Sequence, residues 1–178
     1  MVAHYRKEEE QLLRLAWVKA HNARKKYCFC HTYNACGGNC LYCAYIFVHK
    51  PLSGDITAAG NQFSGMGAAA VPAAFVYAFI QTGLTEEILF RGFILKRTAN
   101  KFGFAAGNTV QAVLFGLLHG IPFGLSTHNI AVTFLLTLLP AAIGWYMGWL
   151  NEKRCGGSIF SSRIVHGTMN LIVTILAL

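Results

Sequence analysis

Charged residues are scarce in this sequence, because Asp, Glu, Lys and Arg together make up only 12% of its 178 residues. Soluble domains carry about 25%, so this composition is not that of a soluble domain. A hydrophobic content of 54% excludes a disordered chain. Cysteine, with 6 residues, is too sparse for a small disulfide scaffold. The class that remains is an integral membrane protein.

Acidic residues are especially few, 7 against 15 basic ones. In a soluble chain this excess would suggest nucleic acid, but Lys and Arg also accumulate on the cytoplasmic side of membrane spans. We therefore expect no nucleic-acid partner. The stretches 96–101 and 151–154 are basic, whereas 120–129 holds no Lys or Arg. This alternation predicts that the two basic stretches are cytoplasmic and that the carboxyl terminus lies outside.

Long uncharged runs divide the chain into three predicted parts. Residues 1–27 form a basic amphipathic segment, typical of a helix at a membrane surface. Residues 28–66 join a Cys-rich stretch to a linker; residues 28–48 are long enough to span, but their Asn and Gly content leaves this open. Residues 67–178 form the core. Its four predicted membrane helices cover 68–96, 104–119, 130–150 and 158–178.

The length of these runs also decides the fold class. Lipid admits only helices or closed barrels, and the runs are too long for barrel strands. We therefore expect an all-α integral membrane bundle of four core helices with a short N-terminal extension, located as a multi-pass protein in the cell membrane.

Ionisable residues inside the predicted spans are few, and such residues usually mark a working site. They are Glu86, Glu87, Arg91, His119, Arg163 and His166, with Asn170 as a polar companion. Glu87 precedes Arg91 by one helical turn, the favourable order for an ion pair. Glu86 points about 100° away from Glu87 and is then predicted to be an unpaired carboxylate, which suits a general base acting on water. The alternative is that both acids belong to a static salt-bridge network.

Two chemistries fit this set. In the first, Glu86 activates a water while His119, His166 and Asn170 position the water and the oxyanion. In the second, Glu86, His119 and His166 bind zinc, which activates the water. The first is preferred, because the amide of Asn170 is a poor zinc ligand but a good hydrogen-bond donor. The expectation is therefore no cofactor, with zinc as the alternative. A proton or ion carrier is a third interpretation, but the inverted repeats typical of carriers are not visible.

Three short motifs carry a resemblance to a known family. Residues 86–92 read EEILFRG, which looks like an EExxxR motif; residues 115–119 (FGLLH) match FxxxH, and residues 166–170 (HGTMN) match HxxxN/D. In this order they resemble the CPBP family, which includes CAAX prenyl proteases and Abi-type proteins. The resemblance covers about residues 67–178.

The resemblance implies an intramembrane endopeptidase that cleaves membrane-anchored substrates in the bilayer, with CAAX-type prenylated proteins as one candidate class. It also implies roles: Glu86 activates water, Glu87 pairs with Arg91, and the residues His119, His166 and Asn170 position the water and the oxyanion. Members of this family were long called metalloproteases, and some are bacteriocin self-immunity proteins. The alternatives are therefore a zinc protease, or a catalytically idle immunity or scaffold protein.

A cysteine cluster near the start of the chain is a separate candidate metal site. It consists of Cys28, Cys30, His31, Cys36, Cys40 and Cys43. Zinc accepts such ligands, but the spacing is not that of a zinc ribbon, and free cysteines also pack as small hydrophobic residues. We prefer the packing interpretation.

Overall fold

The structure is a computed structural model, and it describes residues 62–176 and residue 178. The predictions for residues 1–27, for the cysteine cluster at 28–43 and for a span over 28–48 lie outside these residues. Within the described part of the chain the fold is a bundle of four helices without a strand. The predicted all-α bundle of four core helices is therefore confirmed.

Three of the four helices are long and apolar enough to cross a membrane. These are α1 (Gly67–Phe102), α2 (Phe104–Thr127) and α3 (Ile130–Arg154). Helix α4 (Phe160–Ile175) has only 16 residues, or about 24 Å at 1.5 Å per residue, against about 30 Å of hydrocarbon. The predicted fourth full span over 158–178 is thus a shorter helix. It begins late because Gly156 and Gly157 adopt left-handed conformations, with φ of 65° and 82°, in the turn after α3.

The connection between α2 and α3 is much shorter than the predicted loop over 120–129. Helix α2 continues through Pro122 to Thr127, and His128 ends it in a left-handed conformation with φ of 51°. The side chain of Asn129 then caps α3 by accepting from two backbone amides of its first turn. Such caps satisfy donors that a helix start leaves without partners, so two residues are enough to reverse the chain.

Glycines let α2 and α3 approach closely. A Cβ added at Gly116 would lie 2.7 Å from the Cβ of Ala141, and one at Gly120 would lie 2.8 Å from the backbone N of Thr137. Gly124, one further turn along α2, faces Thr133 in the same way. Small residues at this spacing are typical of membrane helix pairs, where close backbone packing replaces the hydrophobic effect as the source of stability.

A second close contact joins α1 and α4. A Cβ on Gly83 would lie 3.3 Å from the Cα of Gly167, so the two backbones nearly touch. Glu86 is less than one turn beyond Gly83 on α1, and His166 directly precedes Gly167 on α4. This contact therefore brings the acidic motif and the second histidine together.

The distribution of side chains is inverted relative to a soluble protein. Large apolar side chains such as Phe93, Leu118 and Phe134 are exposed on the outside, whereas Asn108 and Gln111 are fully buried between the helices. The outer surface suits lipid, and the polar interior suits a site enclosed by the bundle. The structure thus agrees with a multi-pass integral membrane protein.

Candidate active site

The acidic motif lies where the winding of α1 changes. The α-helical turn Gly83–Glu87 is flanked by two π-helical segments, Tyr77–Thr82 and Ile88–Leu95. A π-helical turn widens the helix and changes the direction in which the following side chains point, and such turns occur often at functional sites. The EExxxR motif does not predict this change from α-helical to π-helical winding.

Glu87 is held on two sides. Its Oε1 accepts a hydrogen bond from Nη1 of Arg91 at 2.8 Å, and both side chains are completely buried. The same oxygen lies 3.0 Å from Nδ1 of His166 on α4. The other oxygen of Glu87, Oε2, is buried and has no hydrogen-bond partner among the described residues. Glu87 therefore ties α1 to α4 and has no access to a substrate.

Glu86 has a different environment. Its side chain is 25% exposed, and Oε2 lies 3.7 Å from Nε2 of His166. This is too long for a direct hydrogen bond, and Oε2 has no hydrogen-bond partner among the described residues although it is buried. The expectation that Glu86 is entirely unpaired is thus modified, because His166 lies between the two glutamates.

His119 reaches the site from α2. Its Nδ1 lies 2.8 Å from the backbone O of Phe115, and since a carbonyl can only accept, Nδ1 carries a proton. In the neutral ring Nε2 is then an acceptor. The rings of His119 and His166 both contact the ring of Phe115, so the two imidazoles belong to the same cluster.

The ring of Phe115 packs against several side chains of this cluster. It is buried, and its centroid lies 4.4 Å from the ring of His119 and 5.7 Å from that of His166. The guanidinium of Arg91 lies 4.3 Å from the same centroid, a distance at which a cation is attracted to the ring. One aromatic side chain thus contacts residues from all three motifs.

Asn170 is placed one turn further along α4. Its Nδ2 donates to Oγ1 of Thr82 at 2.8 Å, so it contacts α1 one turn before Glu86. Arg163, on the other side of His166, donates from Nε to the backbone O of Phe79 at 3.4 Å. The structure therefore groups Glu86, Glu87, Arg91, His119 and His166 closely, with Asn170 at the edge of the group and Arg163 against the π-helical segment.

Several polar residues that support the site lie outside the three motifs and were not predicted from the sequence. Thr82 contacts Asn170, while Asn151 donates to Ser162 at 2.7 Å. Gln111 donates to Asn108 and to the backbone O of Gly144, each at 2.9 Å. The sequence feature that could have identified them is their polarity, because they lie inside or beside apolar runs.

Gly144 is needed where α3 passes the ion pair. A Cβ at this position would lie 3.1 Å from Nη2 of Arg91 and 3.2 Å from the ring of Phe115. Both distances are tighter than ordinary contacts, so a side chain here would displace the guanidinium or the ring.

The zinc alternative requires at least three ligand side chains that converge on one point. Among residues 62–176 and 178, no three His, Cys, Asp or Glu side chains converge closely enough to hold one ion. The zinc alternative with Glu86, His119 and His166 stays a prediction, and the chemistry below is derived for the side chains themselves.

Comparison with protein families gives one match. A family model described as Type II CAAX prenyl endopeptidase Rce1-like matches residues 68–172, which is well over half of the chain and includes all three motifs. Neither the comparison with curated proteins nor that with solved structures returns a match.

Proposed function

The chain belongs to the Rce1-like family of type II CAAX prenyl endopeptidases, and we propose that it is an intramembrane endopeptidase in which Glu86 activates the attacking water. A CAAX box is a C-terminal sequence with a prenylated cysteine. The proposed partners are therefore the bilayer and a membrane-anchored peptide that carries its lipid close to the bond to be cleaved.

One observation carries the assignment of Glu86, namely the contrast between two adjacent glutamates. Glu87 is fully buried and bonded to Arg91. Glu86 is 25% exposed, and its Oε2 lies 3.7 Å from Nε2 of His166, beyond hydrogen-bond distance. A general base must reach the proton that it removes. Of the two carboxylates, Glu86 has this access, while Glu87 has the contacts of a structural anchor.

The proposed reaction is hydrolysis in two steps. Glu86 takes one proton from a water, and the remaining hydroxide forms a bond to the carbonyl carbon of the substrate, which makes a tetrahedral oxyanion. The C–N bond then breaks, and the leaving nitrogen takes the proton from Glu86. The carboxylate is thereby restored, and the products are a new carboxyl group and a new amine.

The hydrogen-bond polarity of the neighbours supports the roles that we propose for them. His119, with its proton on Nδ1, offers Nε2 as an acceptor that orients the water. His166 donates from Nδ1 to Glu87 and turns Nε2 toward Glu86 at 3.7 Å, which places its ring between the two carboxylates. Asn170 is the remaining donor for the oxyanion. Oriented donors of this kind stabilise charge that develops in the transition state.

The test is cleavage of lipid-anchored CAAX peptides by purified protein in bilayer vesicles. Glu86→Gln keeps the shape of the side chain and removes the base, so we expect the rate to fall below one tenth of wild type while the melting temperature stays unchanged. A tenfold loss corresponds to about 1.4 kcal/mol of barrier.

Glu152→Gln is the matched control, because the Glu152 side chain is also 25% exposed but lies beside Lys96 at the basic end of the bundle. It should cleave at the wild-type rate. A Glu86→Gln variant that retains more than one tenth of the activity would refute the assignment. A folded wild type that cleaves none of the peptides would favour a catalytically idle immunity or scaffold role.

A further inference from the structure

Two contacts between α1 and α4 lie one helical turn apart beside the site. Glu86 lies near His166, and one turn earlier on α1 Thr82 accepts from Asn170, one turn later on α4. In the Glu86–His166 contact both residues belong to the sequence motifs. In the Thr82–Asn170 contact only Asn170 does, because Thr82 lies outside all three motifs.

The hydrogen bonds of Thr82 determine its polarity. Its Oγ1 lies 3.1 Å from the backbone O of Ala78 and 3.2 Å from that of Tyr77. The segment Tyr77–Thr82 is π-helical. A π-helical turn brings the carbonyl of residue i−5, here Tyr77, close to Thr82 in addition to the i−4 carbonyl of Ala78. Carbonyl oxygens only accept, so the hydroxyl proton of Thr82 is directed to them.

The polarity of Thr82 in turn orients the amide of Asn170. Since the Thr82 hydroxyl proton is already used, its oxygen can only accept from α4, and Asn170 must present Nδ2 rather than Oδ1 at the observed 2.8 Å. An amide nitrogen has two protons. With one proton bound by Thr82, the second points away from Thr82 in the plane of the same amide group.

We propose that Thr82 is a positioning residue that fixes the amide of Asn170 as a hydrogen-bond donor to the oxyanion. This inference rests on the proposed function and extends it, because it identifies which atom of Asn170 acts and what holds it. Without Thr82 the amide can rotate and present Oδ1, an acceptor, which would repel the developing negative charge.

The first test compares three threonine variants in the peptide-cleavage assay. Thr82→Val keeps the shape but removes the acceptor, and we expect kcat to fall roughly tenfold or more, short of the 10²–10³ typical of deleting a donor outright, with KM little changed. Thr82→Ser should restore most of kcat. Thr85→Val is the control, because among the residues that the structure describes the Thr85 hydroxyl bonds only to carbonyls of its own helix, at Gln81 and Thr82.

The second test is a double-mutant cycle, which measures coupling between two residues. If Thr82 acts through Asn170, Thr82→Val should reduce kcat no further once Asn170→Ala is present. The same cycle measured on melting temperature needs no substrate, and the loss in the double variant should be smaller than the sum of the two single losses, because both single variants remove the same Thr82–Asn170 hydrogen bond.

These results separate this inference from the proposed function. Additive effects in either cycle, or a Thr82→Val variant that behaves like Thr85→Val, would overturn the role of Thr82 while leaving the Glu86 assignment intact. If the wild type cleaves nothing, the proposed function and the oxyanion role of Asn170 both fail. The melting-temperature cycle then still decides whether Thr82 holds Asn170.

Discussion

Replacing Arg91 by Met perturbs the most deeply buried charge of the site. The guanidinium and the carboxylate of Glu87 are both completely inaccessible and 2.8 Å apart. Methionine is unbranched and apolar, so it can keep part of the packing against Phe115 while it removes the cation. The change leaves a buried carboxylate with one partner fewer.

The expected cost follows from this geometry. Removing one partner from a buried ion pair destabilises proteins by about 3–5 kcal/mol. His166 still lies 3.0 Å from Glu87, so we expect the lower end, about 3 kcal/mol. Arg91→Lys should cost clearly less, because Nε and Nη2 of Arg91 have no hydrogen-bond partner among the described residues and Lys can supply the one donor that is used.

The measurement is the free energy of unfolding of the protein in detergent micelles, from denaturant titration of helical circular dichroism. Lys96→Met is the control, because Lys96 is partly exposed; the variant loses a pair with Glu152 at 4.0 Å, worth about 0–1 kcal/mol at a surface, and a hydrogen bond to the backbone O of Gly157 at 2.7 Å, worth about 1 kcal/mol. If Arg91→Met unfolds within 1 kcal/mol of Lys96→Met, the ion pair does not hold this part of the bundle and the reasoning is wrong.

Three further predictions concern the metal alternative, the helix packing and the topology. His119→Ala should lower the cleavage rate by about 10²–10³ without changing the metal content measured by mass spectrometry; stoichiometric zinc, lost together with activity in this variant, would instead establish zinc chemistry. Gly120→Val should lower the melting temperature markedly, because even a Cβ would lie 2.8 Å from the backbone N of Thr137, and overpacking costs about 1–3 kcal/mol; Gly92→Val is the control, because Gly92 is also helical and a Cβ there would meet only the backbone O of Glu87 at 3.7 Å, an ordinary contact, and an equal loss in both variants would contradict the packing argument. Single cysteines at Lys101 and Lys153 should label from the cytoplasmic side and one at Thr127 from the opposite side; labelling of all three from one side would contradict the predicted orientation.

The sequence by itself determined the helical membrane class and where most helices lie. The scarcity of charge and the long apolar runs indicate membrane spans. In lipid, a helix satisfies its backbone hydrogen bonds within one segment of the chain. The spacing of Glu87 and Arg91 also predicted that they are neighbours, since contacts one turn apart depend only on helix geometry. Boundaries were less predictable, because Pro122 and Gly120 resemble a loop but lie within α2.

Only the tertiary structure decided which residues from different helices meet. The approach of Gly83 to Gly167 places His166 between Glu86 and Glu87, and the π-helical segment before Gly83 turns Thr82 toward Asn170. Residue patterns record the period of one helix, but they carry no information on the angle and the register at which two helices pack. Those depend on how glycines and large side chains of both helices fit together, and for this reason the partners of Glu86 and Asn170 emerge only from the folded bundle.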